Sequence, residues 1–574
     1  MDRREATWFN EVAVSQIKTR VPPALTVFAI LYAVTIGLIN LALVVGGPFD
    51  MVVSGIDRHV HLATWRGPEV APFMLGLFML FLATQLRLRK RAALFVFSSF
   101  LIVQALVDLT RGMSHFPGVS NVLVGVLLLL AIKEMPAQPD PVSFRQLKVV
   151  FPALAVVFFA FGMTVITLYH RTLGVSDKGL FAIAYRTVTV AVGESGLNFH
   201  GWALVFEDLL GIILAFGLVL AGYLLFRPYR EAVGQSAADH QRAVALMRSY
   251  GTDSLAYFNL RRDKELFFYG DDMFIAYRRV GSIAVISGDP VGPPELIPEA
   301  LSIFREFCLE RGWRQMSLGA RDDYMRFYEE AGFKGLLIGE EAVLHLDEFS
   351  LDGRPVRKLR QSVNKMRREG YSMEFMYNSG IPSHVKHELA TISAEWRGDK
   401  SETGFSMGLG RLMDDEDPDC LLCLAYDGEM RPVGFLYMVP MYPRQGYSLD
   451  ITRTMIDAPN ALSEFMLASS ALFLKEHGYR QMSMHFLALS QHYREDRDEP
   501  GSPMMRALAR GLSHVVPVVT AYNFDKKFFP RWKPRCLLYQ SALDLPAVAL
   551  TAFTVESALK VARPADRKRA ATGR

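Results

Sequence analysis

The sequence predicts an α-helical membrane part followed by a cytoplasmic α/β part. Three observations carry that prediction. Long apolar runs crowd the first 230 residues. Charged, mixed sequence fills the rest. Within it, "ERGWRQMSLGA" (Glu310–Ala320) recurs as "EHGYRQMSMHF" (Glu476–Phe486), each time at the same place in a strand–helix–strand order. The chain is 574 residues long, 51% hydrophobic, with a net charge of +4. That length exceeds one ordinary domain, and so small a net charge selects no partner class.

The apolar runs are Pro23–Val45, Val70–Leu86, Ala92–Leu109, Val119–Ile132, Val149–Tyr169 and Ala203–Phe226. A helix needs about 20 apolar residues to cross a bilayer, so the second and fourth runs are short for the task. The first run is not read as a signal peptide, because others follow it and no small-residue cleavage site is evident. Basic residues alternate between loops. Arg3, Arg4, Lys18 and Arg20 precede the first run, and "RLRKR" follows the second. Lys133, Arg145 and Lys148 follow the fourth, and Arg227 and Arg230 the sixth. This pattern places both ends in the cytoplasm, as a multi-pass membrane protein. Gly179–Gly201 reads as a seventh, re-entrant element. Asp108, Glu207 and Asp208 fall near predicted ends, which suits an interfacial role better than a transport path.

After Tyr229 the two copies of the repeat organise the chain. Each ends a helical stretch, and each helix follows a strand and turn: "SIAVISGDPVGPPE" in the first copy, "YSLDITRTMIDAPN" in the second. Gly312 and Gly478 stand where a helix end takes a left-handed residue. A repeat in identical element order reads as duplication. Helices joining strands predict parallel crossovers. Such units, with antiparallel sequence around them, suit the acetyltransferase-like (GNAT) fold. The division expected is a transmembrane domain at 1–230, a first subdomain at 231–352, a basic linker helix at 353–372, a second subdomain at 373–546, and an extension with a basic tail at 547–574.

Acetyl-CoA enzymes of that fold bind pyrophosphate on a glycine-rich turn at a helix start, where backbone N–H groups face phosphate. "GDPVGPPE" carries prolines there and "RTMIDAPN" no glycine. Proline removes a donor, which counts against CoA. Cys420 and Cys423 form a lone CxxC inside the apolar run "CLLCLAY", read as a buried strand because nothing completes a metal-ligand set. In "RPVRKLRQSVNKMRREG" (Arg354–Gly370), Val356, Leu359, Val363 and Met366 keep helical spacing. Arg357, Arg360, Arg367 and Arg368 are among the basic residues covering the other face. That face is either solvated or a phosphate-binding surface for RNA or anionic lipid.

Several motifs together resemble one family. "SGDPVG", "GEEAVLHLDEFSLDGRPVRKLRQSVNKMRREGY", "ISAEWRGDKSETGFSMG", "YSLDITR", "DAPNAL" and "KKFFPRWKPR" look like the synthase domain of phosphatidylglycerol lysyltransferases, the aminoacyl-phosphatidylglycerol synthases. The likeness covers roughly Gly234 to Pro546, and the preceding helices resemble the membrane part beside that synthase. Members with a lipid flippase carry more spans ahead of these, so flipping lies outside the expectation.

The resemblance implies a tandem GNAT-like fold around a tunnel, with aminoacyl-tRNA entering on one side and phosphatidylglycerol on the other. The amino acid, lysine favoured, passes from the tRNA ester to the glycerol hydroxyl without metal or soluble cofactor. The product would alter membrane surface charge and resistance to cationic peptides. A homo-oligomer through the membrane part is an accompanying expectation. A CoA-dependent acyltransferase or a lipid transporter is the competing reading.

The resemblance makes Asp450 and Arg453 the catalytic pair. On a regular strand, residues three apart point to opposite faces, so the two cooperate only if the strand ends or bulges between them. Arg453 would hold a phosphate, and Asp450 the aminoacyl ammonium or the proton of the attacking hydroxyl. Lys527, Trp532 and Arg535 suit a tRNA end, with charge for phosphate and rings for stacking. Glu395 and Trp396 open a pocket loop. Asn460 stands at the start of the second helix as substrate ligand or cap. His485 is read as structural.

Overall fold

The computed structural model describes residues 24–45, 70–110, 115–130, 141–170, 179–191, 202–226, 235–397, 405–442, 445–455, 457–488 and 518–556, with isolated positions between them. The chain divides into two compact units. One comprises residues 1–231 with 307–313, and the other comprises 232–306 with 314–574.

The first unit is helical. Its helices are α1 (Ala24–Val45), α2 (Val70–Arg87), α3 (Arg91–Thr110), α4 (His115–Leu130), α5 (Pro141–Leu168), α6 (Leu180–Ala191) and α7 (Trp202–Phe226). The described residues of all six apolar runs lie almost entirely in these helices, and the Gly179–Gly201 element contributes the short α6. Among the described residues, Pro141–Leu168 and Leu209–Phe226 are long and apolar enough to cross a bilayer. α5 starts as its sequence dictates. Asp140 accepts from the Ser143 N–H at 3.0 Å, and Pro141 takes the first turn, where a missing N–H does no harm. α1 and α2 approach closely through two glycines: a Cβ on Gly76 would stand 2.9 Å from the Gly37 carbonyl oxygen. The side chains of Asp108, Glu207 and Asp208 lie outside the described residues.

The second unit is built on one sheet. Its strands are β1 (Glu265–Tyr269), β2 (Met273–Val280), β3 (Ile283–Ser287), β4 (Arg314–Arg321), β5 (Lys334–His345), β6 (Ser372–Tyr377), β7 (Leu421–Tyr426), β8 (Pro432–Met441), β9 (Gly446–Thr454), β10 (Gln481–Ala488) and β11 (Arg531–Tyr539). Its helices are α8 (Ala237–Tyr250), α9 (Ile297–Glu310, with residues 307–310 counted in the first unit), α10 (Met325–Glu330), α11 (Arg357–Arg368), α12 (Ser383–Arg397), α13 (Leu462–Glu476), α14 (Val518–Asp525) and α15 (Leu545–Glu556).

The sheet order is β1-β2-β3-β4-β11-β5-β10-β9-β8-β7-β6. Two neighbouring pairs are parallel, β3 with β4 and β9 with β10, and α9 and α13 make the crossovers. These are the two copies of the repeat. Gly312 and Gly478 end the helices at φ +67 and +80, the left-handed backbone that their position required. The halves exchange their last strands: β5 pairs with β10 of the second half, and β11 lies between β4 and β5. The sheet therefore runs unbroken across the boundary between the copies.

Both faces of the second half are covered, which explains the nearly continuous apolar run of β7. Leu422 and Leu424 join a core with α8 and α12, while Leu421, Cys423 and Ala425 join a core with α11 and α13. Cys420 and Cys423 are free and buried, in keeping with the strand reading. On α11, Leu359, Val363 and Met366 point into that second core and the arginines point away.

Candidate active site

The site begins with an irregularity in β9. Its pairing with β8 passes from Tyr437↔Ile451 to Met438↔Leu449, so Asp450 is the extra residue of a β-bulge. A bulge re-aims the side chains on either side of it. The bulge falls at Asp450 itself, and the pairing with β8 is regular again from Ile451 to Arg453. On its other edge, β9 pairs with β10 only from Gly446 to Ser448, opposite Gln481 to Ser483. Beyond that the two strands diverge. A cavity of about 280 Å³ occupies the splay, lined by Ser448, Asp450 and Thr452 of β9, Ser483 and His485 of β10, and Glu341 of β5. Leu255, Phe258 and Met407 add apolar wall.

Asp450 is fixed by an N–H from outside the sheet: its Oδ1 accepts from Leu409 at 3.0 Å. Arg453 stacks its guanidinium 4.1 Å from the Trp396 ring centroid and donates to the Thr452 carbonyl at 3.0 Å. Two residues expected in the site from distant motifs thus meet, Trp396 from the end of α12 and Arg453 from the end of β9. The Glu395 side chain and residues 398–404 lie outside the described residues.

Glu341, Ser483 and His485 also line the cavity; the first two carried no expectation, and His485 was expected to be structural. Glu341, 1% exposed, accepts from Ser483 Oγ and from Arg535 at 2.6 and 3.0 Å. His485 places Nε2 3.1 Å from the buried Asp525 carboxylate. Burial pushes the imidazole pKa down, but the Asp525 carboxylate outweighs it, and the net shift is upward. Ser483 was visible as a member of the repeat, matching Ser317. Nothing in the sequence announced that Glu341 and Asp525 come from other segments to meet the second copy.

Arg535 corrects an expectation. Expected to meet the phosphates of a tRNA end, it is instead 1% exposed in the interior. It donates to Asp253 at 2.7 Å, to Ser254 Oγ at 2.8 Å and to Glu341. The strand exchange is the reason, because β11 is inserted mid-sheet and its inward residues are covered on both sides. Arg360 is likewise occupied, donating to the Leu351 and Gly353 carbonyls and closing the loop before α11. Asn460 does not cap: the residue at the helix start is Ala461, without a side-chain cap bond, and Asn460 is exposed. Lys527 is half-exposed and paired with Glu464. Trp532 packs against Tyr522, ring centroids 5.1 Å apart, rather than standing free. Arg357, Arg367 and Arg368 are exposed. The last two line an open groove of about 560 Å³ with Gln361 and Asn364.

Comparison with known proteins places this geometry. Residues 244–539 match the family model described as "Phosphatidylglycerol lysyltransferase, C-terminal". The chain is 29% identical over 493 residues to the lysylphosphatidylglycerol biosynthesis bifunctional protein LysX of Mycolicibacterium gilvum, covering 83% of this chain and 45% of the relative. It is 31% identical over 446 residues to the protein of that name from Mycobacterium avium, covering 76% and 38%. The chain thus spans less than half the length of these relatives. The solved structure of L-PGS from Bacillus licheniformis shares the fold, with a TM-score of 0.50 at 24% identity over 57% of this chain and 98% of that one. With the matched region spanning the whole sheet and both walls of the cavity, the chain belongs to the phosphatidylglycerol lysyltransferase C-terminal family.

Proposed function

We propose that this chain is a membrane-bound aminoacyltransferase that moves an amino acid, lysine favoured, from aminoacyl-tRNA to the glycerol hydroxyl of phosphatidylglycerol. One observation carries the reading: a bulge turns Asp450 into a cavity at the splay of two parallel strands. In the proposed step, the acceptor hydroxyl attacks the ester carbonyl carbon. A C–O bond forms to the glycerol oxygen, and the C–O bond to the tRNA ribose breaks. Asp450 draws the proton from the attacking hydroxyl or holds the aminoacyl ammonium beside it. Arg453, stiffened by Trp396, engages a phosphate with its planar fork. The proton leaves on the ribose oxygen. The ester is itself an activated acyl donor, so no further activation is required.

The helical unit is proposed to lie in the bilayer with the sheet unit in the cytoplasm. Outward apolar side chains support this: Leu31, Val149, Val156, Ile212 and Phe216 are each more than half exposed. So does the glycine contact of α1 with α2, since close backbone approach through small residues is how helices associate in lipid. α6, at 12 residues, reaches about 18 Å and does not span.

Lipid extracts of cells with and without the protein test the function. A new ninhydrin-positive phospholipid, with transfer from charged tRNA into phosphatidylglycerol vesicles by the purified chain, is the expected result. Absence of both would sink the reading.

A further inference from the structure

Residues 405–409 lie in no helix or strand, yet Phe405, Ser406 and Leu409 are buried. A buried irregular segment must find partners for its N–H groups outside the sheet ladders. Glu556, at the end of α15, supplies them at one end of the segment. Its carboxylate accepts from the Phe405 N–H at 2.9 Å, from the Ser406 N–H at 3.1 Å and from the Ser406 hydroxyl. At the other end the Leu409 N–H goes to Asp450 at 3.0 Å. One short segment therefore bridges two carboxylates, and the second of them is Asp450.

The segment is held along its length. Phe405 joins a core with Val548 and Val555 of α15, and the buried Lys264 ammonium lies 4.7 Å from its ring centroid. Lys264 also donates to the Phe258 carbonyl at 2.8 Å, and Arg261 donates to the Gly408 carbonyl at 2.9 Å. Met407, between the two bound ends, lines the cavity beside Asp450. A shift of the segment would therefore move an apolar wall and the N–H that aims Asp450 together. Glu556 is not among the described residues lining the cavity, and it lies beyond the matched residues 244–539. A carboxylate suits the task, because its two oxygens engage successive N–H groups and a hydroxyl at once, where an amide offers one oxygen.

We propose that Glu556 is a positioning residue for the transfer reaction: its carboxylate fixes residues 405–409, and they fix the Asp450 carboxylate and the Met407 wall of the cavity. This rests on the reading of Asp450 as a group that acts on the substrate. Glu556 acts on the reaction only through the segment it holds.

The test uses the full chain in nanodiscs containing phosphatidylglycerol, with lysyl-tRNA as donor. Glu556→Gln is close to isosteric and keeps one acceptor oxygen, so it should fold. Hydrogen exchange, read without substrate, should rise at residues 405–409 and stay unchanged in β7. The kcat for transfer should fall about tenfold with KM for the charged tRNA held, because misplacement acts on the reacting geometry. In an Asp450→Asn background the same substitution should cost less than about twofold, since no carboxylate is left to aim. Ser406→Ala, which removes one donor to Glu556, should move exchange and kcat in the same direction by less. Unchanged exchange at 405–409 in Glu556→Gln overturns the proposal, as does a wild-type kcat in the folded variant. So does an equal loss in both backgrounds, which is the mark of a purely structural residue. Should Glu556→Gln fail to fold, Ser406→Ala carries the same readouts, and wild-type exchange and kcat there overturn the proposal. If the wild-type chain transfers nothing, the proposed reaction falls, while raised exchange at 405–409 still supports Glu556 as the group that holds the Asp450 donor.

Discussion

The guanidinium of Arg453 lies 4.1 Å from the ring centroid of Trp396. The contact joins the end of β9, three residues beyond the bulge at Asp450, to the end of α12. An exposed cation–π contact contributes about 0.5–1 kcal/mol. Trp396→Ala should therefore lower kcat/KM about two- to fivefold in vesicle transfer assays, with Trp396→Phe largely preserving it. Arg453→Lys should not restore activity, because lysine has neither the fork nor the stacking plane. Near wild-type transfer by Arg453→Lys would remove Arg453 from the proposed mechanism.

Asp450→Asn is close to isosteric, and its amide oxygen can still accept from Leu409. The melting temperature should hold while the transfer rate falls at least about a hundredfold, the lower range for acid–base assistance. A folded variant with normal rates would make Asp450 a structural ligand of Leu409.

Arg535 is a prediction about stability first. Arg535→Met leaves Asp253 and Glu341 buried without their cation, which should destabilise the sheet unit by about 3–5 kcal/mol. Thermal melting read from the sheet unit checks it. Arg535→Lys should be destabilised too, since one ammonium cannot replace the fork that bridges both carboxylates. A melting temperature unchanged in both would mean the cluster contributes little.

The same cluster predicts a pH dependence. Burial, then the neighbouring Asp253 charge, push the Asp289 carboxyl up to about 6, with Arg535 opposing. Its folded pKa lies above the unfolded value, so its contribution to stability is present below about pH 4 and is lost as pH rises through about 6. Asp289→Asn keeps an acceptor for the Arg321 N–H and the Tyr328 hydroxyl, which both bond Oδ1. Relative to wild type, the variant should gain melting temperature between pH 5 and pH 8. A constant difference across that range would mean that Asp289 does not titrate there.

Topology is checked at the C-terminus. A reporter active only in the cytoplasm, fused at Arg574, should be active, and activity of a periplasmic reporter instead would require an odd number of spans.

The sequence by itself determined the helical first part, the two copies of the strand–helix–strand unit, and the strand that carries Asp450 and Arg453. Each is a local matter: apolar run length, residues at helix ends, and the two-residue period of a strand. It also determined that α11 has one apolar stripe, because 3.6-residue periodicity is visible along a single segment. Only the tertiary structure decided which residues meet. Glu341, His485 and Asp525 come from β5, β10 and α14, and the contact of Trp396 with Arg453 spans two distant motifs; such pairings leave no periodic trace in the sequence. Arg535 shows the limit most clearly. In "KKFFPRWKPR" it looks like its exposed basic neighbours, yet exchange of the last strands sends β11 into the middle of the sheet. There a charge is retained only because Asp253 and Glu341 arrive from elsewhere to balance it.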